Sequence, residues 1–136
     1  MQYHSTRGAS PAVNSAEAVL LGLAPDGGLY LPESIPAFDW KACVASDTLN
    51  MATRILTAFL PDIPGMEELV RKAYVGKFET DDLTPTVPVD DFYVLELFRG
   101  PTSAFKDVAL SMLPQLMTAA KTAQGMQEDI LILTAT

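Results

Sequence analysis

Lys106 is the residue in this chain best placed for covalent chemistry. It follows Arg99, Gly100, Pro101, Thr102, Ser103, Ala104 and Phe105, a stretch that reads as a tight loop running into a helix, and it falls in the expected first turn of that helix. A cation there meets the positive end of the helix dipole, and Phe105 beside it is expected to add desolvation. Both effects favour the neutral amine, the form that attacks a carbonyl to make a Schiff base. The same pattern also fits a lysine that reaches into solvent, with Asp107 as an ordinary first-turn acid. Thr102 and Ser103 can hydrogen-bond near such an adduct or cap the helix, and capping is the commoner use of these residues.

Other chemistries find fewer residues. His4 is the single histidine and sits near the N-terminus, where a catalytic triad is poorly supported. One histidine and one cysteine, Cys43, are too few soft ligands for a zinc site. With no histidine near it in sequence, Cys43 reads as a small buried side chain. Gly27-Gly28 reads as a connecting turn more readily than as a phosphate cradle.

Several elements must position Lys106. Asn14 with Glu17 three residues on reads as a capping box for a helix over 16–21, stopped by Gly22. Ala24-Pro25-Asp26-Gly27-Gly28 is a tight turn, and a short strand over 29–31 follows, closed by Pro32. Helical spacing of Leu49, Ala52, Ile55, Leu56 and Phe59 predicts a helix over 47–60 capped by Asp47. Pro64 fits the first position of the next helix, whose apolar face is Met66, Leu69, Val70 and Ala73. Residues 79–91, with Pro85 and Pro88, read as a loop. Residues 92–98 then read as a strand and 103–124 as a helix that Pro114 should kink or break. The apolar run 130–133 has the pattern of a strand buried on both faces of a parallel sheet. Strand, helix and strand would form a right-handed βαβ unit.

Composition bounds what such a unit serves. The 136 residues are 49% hydrophobic and 19% charged, a globular balance. Nine Lys and Arg against seventeen Asp and Glu give a net charge of −8, which argues against nucleic acid and anionic membrane surfaces as partners. No apolar run reaches the length of a membrane span, and MQYHSTRG has no apolar signal core. The lone cysteine suggests a reducing cytoplasm.

The segment from Gly100 to Asp107, GPTSAFKD, resembles the lysine segment of the threonine synthase family, Gly-Pro-Thr, one variable residue, then Ala-Phe-Lys-Asp. Tyr3, Ser5, Thr6, Arg7 and Gly8 resemble that family's N-terminal signature. The stretch from Glu17 to Pro32 resembles its next segment, Leu95-Glu96-Leu97-Phe98 its approach to the lysine loop, and Leu133-Thr134-Ala135-Thr136 the end of a strand that leads into a glycine-rich loop. Arg99 stands where the family often has His, and Val108 where it often has an aromatic residue.

The resemblance covers the whole chain but roughly the first third of a family member, so the sequence reads as an N-terminal piece. It implies a fold-type II pyridoxal-phosphate enzyme of α/β class: a small N-terminal α+β domain over 1–90 leading into the first βαβ unit of an incomplete cofactor-binding sheet over 91–136. The family converts O-phosphohomoserine and water to threonine and phosphate. By analogy Lys106 holds pyridoxal phosphate as an aldimine and moves protons on the substrate, with Phe105 and Thr102 beside the cofactor. Ser5, Thr6 and Arg7 approach the substrate phosphate or anchor the N-terminal segment. The piece alone is expected to be inactive, and 130–133 is expected to be a sticky edge open to self-association. A serine or threonine dehydratase of the same fold type, or a non-catalytic interaction module, are the alternatives. Dehydratases of that type usually carry Ser-x-Lys, where this chain has Ala104-Phe105-Lys106.

Overall fold

Alternation sets the first strand. In β1 (Gln2–Ser5), Tyr3 and Ser5 are buried while Gln2 and His4 face out, the period-two pattern of a half-buried strand. The structure, a computed structural model, describes residues 1–133. β1 lies at the centre of an antiparallel sheet between β2 (Val13–Asn14) and β3 (Tyr30–Pro32), with Gln2 opposite Asn14 and His4 opposite Leu31.

The first helix, α1 (Ser15–Leu21), starts as its sequence signal requires. Asn14 Oδ1 accepts from the Glu17 N–H at 2.9 Å, and Glu17 Oε2 accepts from the Asn14 N–H at 2.9 Å. Gly22, at φ +68°, ends it. A short helix the pattern did not predict, α2 (Trp40–Val44), is capped by the Asp39 carboxylate. α3 (Thr48–Phe59) is capped by Asp47 as expected. α4 (Met66–Tyr74) begins two residues after Pro64, with Gly65 in the left-handed region at its N-cap, so Pro64 is not the first helical position.

The core is built around α4. Met66, Val70, Ala73 and Tyr74 pack with Ala16 of α1 and with Met112, Leu116 and Ala120 of α5 (Asp107–Ala123). α5 runs unbroken through Pro114, which removes only the bond to the carbonyl of Leu110, on the exposed side of the helix. None of these helices is long and apolar enough to cross a membrane, among the described residues.

Two expectations change. The loop over 79–91 contains a strand, β4 (Thr86–Val89), which pairs with β5 (Phe92–Leu95) in an antiparallel hairpin. Pro88 is tolerated because the sheet has only two strands and both are edges. The expected division between 90 and 91 lies at this hairpin's turn, and α5 packs in one core with α1 and α4. The predicted strand over 130–133 forms no ladder among the described residues, with Leu131 and Leu133 82% and 86% exposed. An apolar run becomes a strand only where a neighbour satisfies its N–H and C=O groups, and β5 is paired with β4 instead. The βαβ unit is therefore not closed among the described residues. The class remains mixed α/β. Thr134, Ala135 and Thr136, at the end of the resemblance, lie outside the described residues.

Candidate functional site

The segment that presents Lys106 is held at both ends. Beyond β5, the Arg99 guanidinium bonds Glu96 at 2.7 Å and Glu79 at 2.8 Å and lies 5.0 Å from the Phe98 ring. The two carboxylates push its deprotonation further above the ordinary arginine range. The Glu79 N–H also donates to the Arg99 carbonyl at 3.0 Å. The charge that Arg99 adds beside the loop is thus neutralised by two acids.

Two successive turns follow. The Ser103 N–H donates to the Gly100 carbonyl at 3.1 Å, with Ser103 at φ +56°, and the Asp107 N–H donates to the Ala104 carbonyl at 3.0 Å. Lys106 occupies the N-cap of α5 and not its first turn, because the helix begins at Asp107 and not near Ser103; it is in helical conformation and has no side-chain cap. Its side chain is exposed. Lys72 and Lys121 pair with Glu68 and Asp129, whereas Lys106 makes no ion pair or side-chain hydrogen bond among the described residues. Phe105 is 66% exposed, so the desolvation expected of it is not supplied.

Asp107 is the residue that sequence reasoning underrated. Its side chain is 4% exposed. The carboxylate accepts from the Thr102 N–H at 2.7 Å, the Thr102 hydroxyl at 2.5 Å and the Ala104 N–H at 3.5 Å. These hydrogen bonds, the Thr102 hydroxyl first, hold it below the usual aspartate range against the opposing effect of desolvation. Thr102 therefore serves Asp107 and does not cap the helix. Gly100 makes room for this arrangement: a Cβ there would lie 2.5 Å from both Cβ and Oδ2 of Asp107. Beyond the loop, Phe105, Val108, Leu113 and Leu116 line an open apolar cleft of about 430 Å³ with Leu56 and Tyr74. The clefts between α3 and α4, lined by Thr53, Glu67 and Arg71, do not include Lys106.

Ser5, Thr6 and Arg7 form a second cluster. Ser5 Oγ donates to Asp26 Oδ1 at 2.6 Å and accepts from the Arg7 N–H at 3.1 Å. Thr6 Oγ1 accepts from the Leu29 N–H at 3.0 Å, and Arg7 Nη1 donates to the Asp26 carbonyl at 3.0 Å. Asp26 further accepts from the Ala9 and Gly28 N–H groups at 3.0 and 2.9 Å. The Gly27 and Gly28 amides are engaged by the Ala24 carbonyl and by Asp26, which is the work of a turn. No hydrogen bond or ion pair joins this cluster to the Lys106 loop among the described residues. The Asp26 N–H in turn donates to Ser10 Oγ at 3.1 Å, and neither Asp26 nor Ser10 carries a periodic signal. The only hint was an Asp in a Pro-Asp-Gly-Gly turn facing a Ser-Thr stretch.

Comparison with known proteins places these features in a context. Residues 2–74 match the family model described as threonine synthase N terminus. The threonine synthase of Methylobacillus glycogenes is 41% identical over 96% of this chain and 30% of that protein. That of Pseudomonas aeruginosa is 36% identical over 100% of the chain and again 30% of that protein. The chain thus spans about 30% of the length of these curated relatives. A crystal structure of PLP-bound threonine synthase from Brucella melitensis superposes with a TM-score of 0.82, at 41% identity, over 92% of this chain and 28% of that one.

Proposed function

Since the chain belongs to the threonine synthase family, we propose that it supplies the cofactor lysine and the N-terminal part of an enzyme that converts O-phosphohomoserine and water to threonine and phosphate. The observation that carries this reading is Lys106, an exposed amine without an ion pair among the described residues, at the head of α5 in a loop held by Asp107 and Arg99. Such an amine fits a group that binds covalently through an aldehyde. The phosphate of that group needs backbone N–H donors at a glycine-rich turn. The Gly27-Gly28 amides are already engaged, so this chain contributes the lysine side of the site.

Pyridoxal phosphate supplies an electron sink for charge that develops on substrate carbon. Lys106 Nζ would provide the point of attachment for the cofactor and, as a free amine, would take and return protons at Cα, Cβ and Cγ of the substrate. The exposed Phe105 ring offers an apolar surface beside the amine. Thr102 gives its hydroxyl hydrogen to Asp107 and keeps its lone pairs for a donor on the cofactor. Arg7 has one Nη on the Asp26 carbonyl and further donors that face solvent, suited to the substrate phosphate, with Ser5 and Thr6 beside it. The lone cysteine, Cys43, free and 2% exposed, is in keeping with a cytoplasmic setting.

These 136 residues are expected to release no phosphate from O-phosphohomoserine by themselves, because Lys106 and Phe105 stand in water and the chemistry needs a site that excludes it. The test incubates the chain with pyridoxal phosphate and O-phosphohomoserine and measures phosphate. Turnover at rates typical of enzymes would refute the inactivity. Ammonia release from serine or threonine would move the reading to a dehydratase. We also propose self-association through the apolar segment 130–133, which is exposed at Leu131, Ile132 and Leu133. Sedimentation should show concentration-dependent oligomers that Leu131→Glu with Leu133→Glu abolishes. Oligomers unchanged by the pair of substitutions would place the contact elsewhere.

A further inference from the structure

We infer that Asp107 is a positioning residue for Lys106, a role that rests on the reading of Lys106 as the cofactor lysine. An ordinary first-turn acid faces solvent and the free N–H groups of its own helix. Asp107 does neither. It is 4% exposed, and its carboxylate turns back to the N–H groups of Thr102 and Ala104 and to the Thr102 hydroxyl, all outside α5. Its bonds therefore fix the loop to the helix and bracket Lys106 on the side where the chain enters.

Lys106 needs such a bracket because its side chain makes no hydrogen bond or ion pair among the described residues. A lysine with four free side-chain torsions samples a wide volume, and its reach toward one ligand atom depends on where its backbone is held. Ser103, at φ +56°, sits in a conformation that a non-glycine residue keeps only when its surroundings impose it, and the Asp107 bonds on either side of it impose it. Gly100 belongs to the same device, since any Cβ at that position would displace the Asp107 carboxylate.

The experiment compares the unmodified chain with Asp107→Asn and Gly100→Ala by two readouts. The first is the fraction of borohydride-fixed pyridoxyl label on Lys106 relative to Lys41, Lys72, Lys77 and Lys121 in the same molecules, measured by mass spectrometry at limiting pyridoxal phosphate. The second is amide hydrogen exchange at Thr102 and Ala104. The unmodified chain should label Lys106 preferentially and protect both amides. Asp107→Asn keeps the fold by circular dichroism, loses the preference by about tenfold, as expected for a charged hydrogen-bond acceptor, and speeds both exchanges. If Asp107→Asn fails to fold, Gly100→Ala serves in its place, because it displaces the carboxylate without removing it. Faster exchange with an unchanged preference for Lys106 would overturn the positioning role and leave the cofactor reading standing. No preference in the unmodified chain would overturn the cofactor reading and this inference with it.

Discussion

Lys106→Ala will leave the fold in place and remove covalent capture of pyridoxal phosphate at this site. The stability half follows from what the side chain does not do. It is exposed, makes no side-chain hydrogen bond or ion pair among the described residues, and provides no cap to α5. Substitutions of this kind change stability by about 0.5 kcal/mol or less. The chemical half follows from the amine itself: alanine has no nucleophile, and Lys106→Arg keeps the charge but offers a guanidinium that stays protonated. Both variants should lose the borohydride-fixed label at position 106 and retain the background at the other lysines. In any assembly that turns over O-phosphohomoserine, loss of this acid–base group should lower kcat by at least about 10²–10⁴-fold. If total label is unchanged in Lys106→Ala, Lys106 is one lysine among five and the functional reading falls. The Asp107 variants then separate a site that lacks its amine from one that misplaces it, since they retain the amine.

The sequence showed the lysine loop and most helices because their signals are local. A capping box needs four consecutive residues, and Asn14 to Glu17 supplied it. Asp47 before a 3.6-residue apolar repeat did the same for α3. α2 had a local signal too, Asp39 accepting from the Lys41 and Ala42 N–H groups, but five residues are too few for a repeat to show. What stayed hidden depends on partners distant in sequence. β4 carries Pro88, a breaker by rule, and becomes a strand because Tyr93 lies opposite it. The run over 130–133 has strand composition and no partner among the described residues. Leu83 sits in a segment that reads as loop, yet it is 6% exposed and held at φ +57° in the core. At the site, Asp107 looked like a routine helix-start acid because residue type and spacing do not say which way a carboxylate turns.

Gly28→Ala is the substitution expected to cost the most stability for the fewest added atoms. A Cβ at position 28 would lie 2.1 Å from Ser5 Oγ, 3.0 Å from Thr6 Oγ1 and 3.1 Å from the Arg7 amide nitrogen. Ser5 cannot yield cheaply, because it is buried and its hydroxyl bridges Asp26 and the Arg7 N–H. Forced overpacking of this kind costs about 1–3 kcal/mol, and denaturant unfolding should show it as a lower midpoint. Ser5→Ala in the Gly28→Ala background should cost less than the sum of the single changes, because it removes the atom in the way. Strict additivity would mean that the two residues do not press on each other. Acid tests the same fastening by another route. The Asp26 carboxyl is lowered to about 2, chiefly by the Ser5 hydroxyl and also by the Gly28 and Ala9 N–H groups. A depressed folded-state value means that its contribution is fully present above the unfolded value of about 3.9 and is lost as pH falls toward about 2. The stability gap between the unmodified chain and Asp26→Asn should therefore be constant above about pH 5 and close between about pH 4 and 2. A gap that persists at pH 2 would show that the loop is held by packing and not by the carboxylate. In that case Gly28→Ala should still destabilise, since its clash is with Ser5 and does not depend on charge.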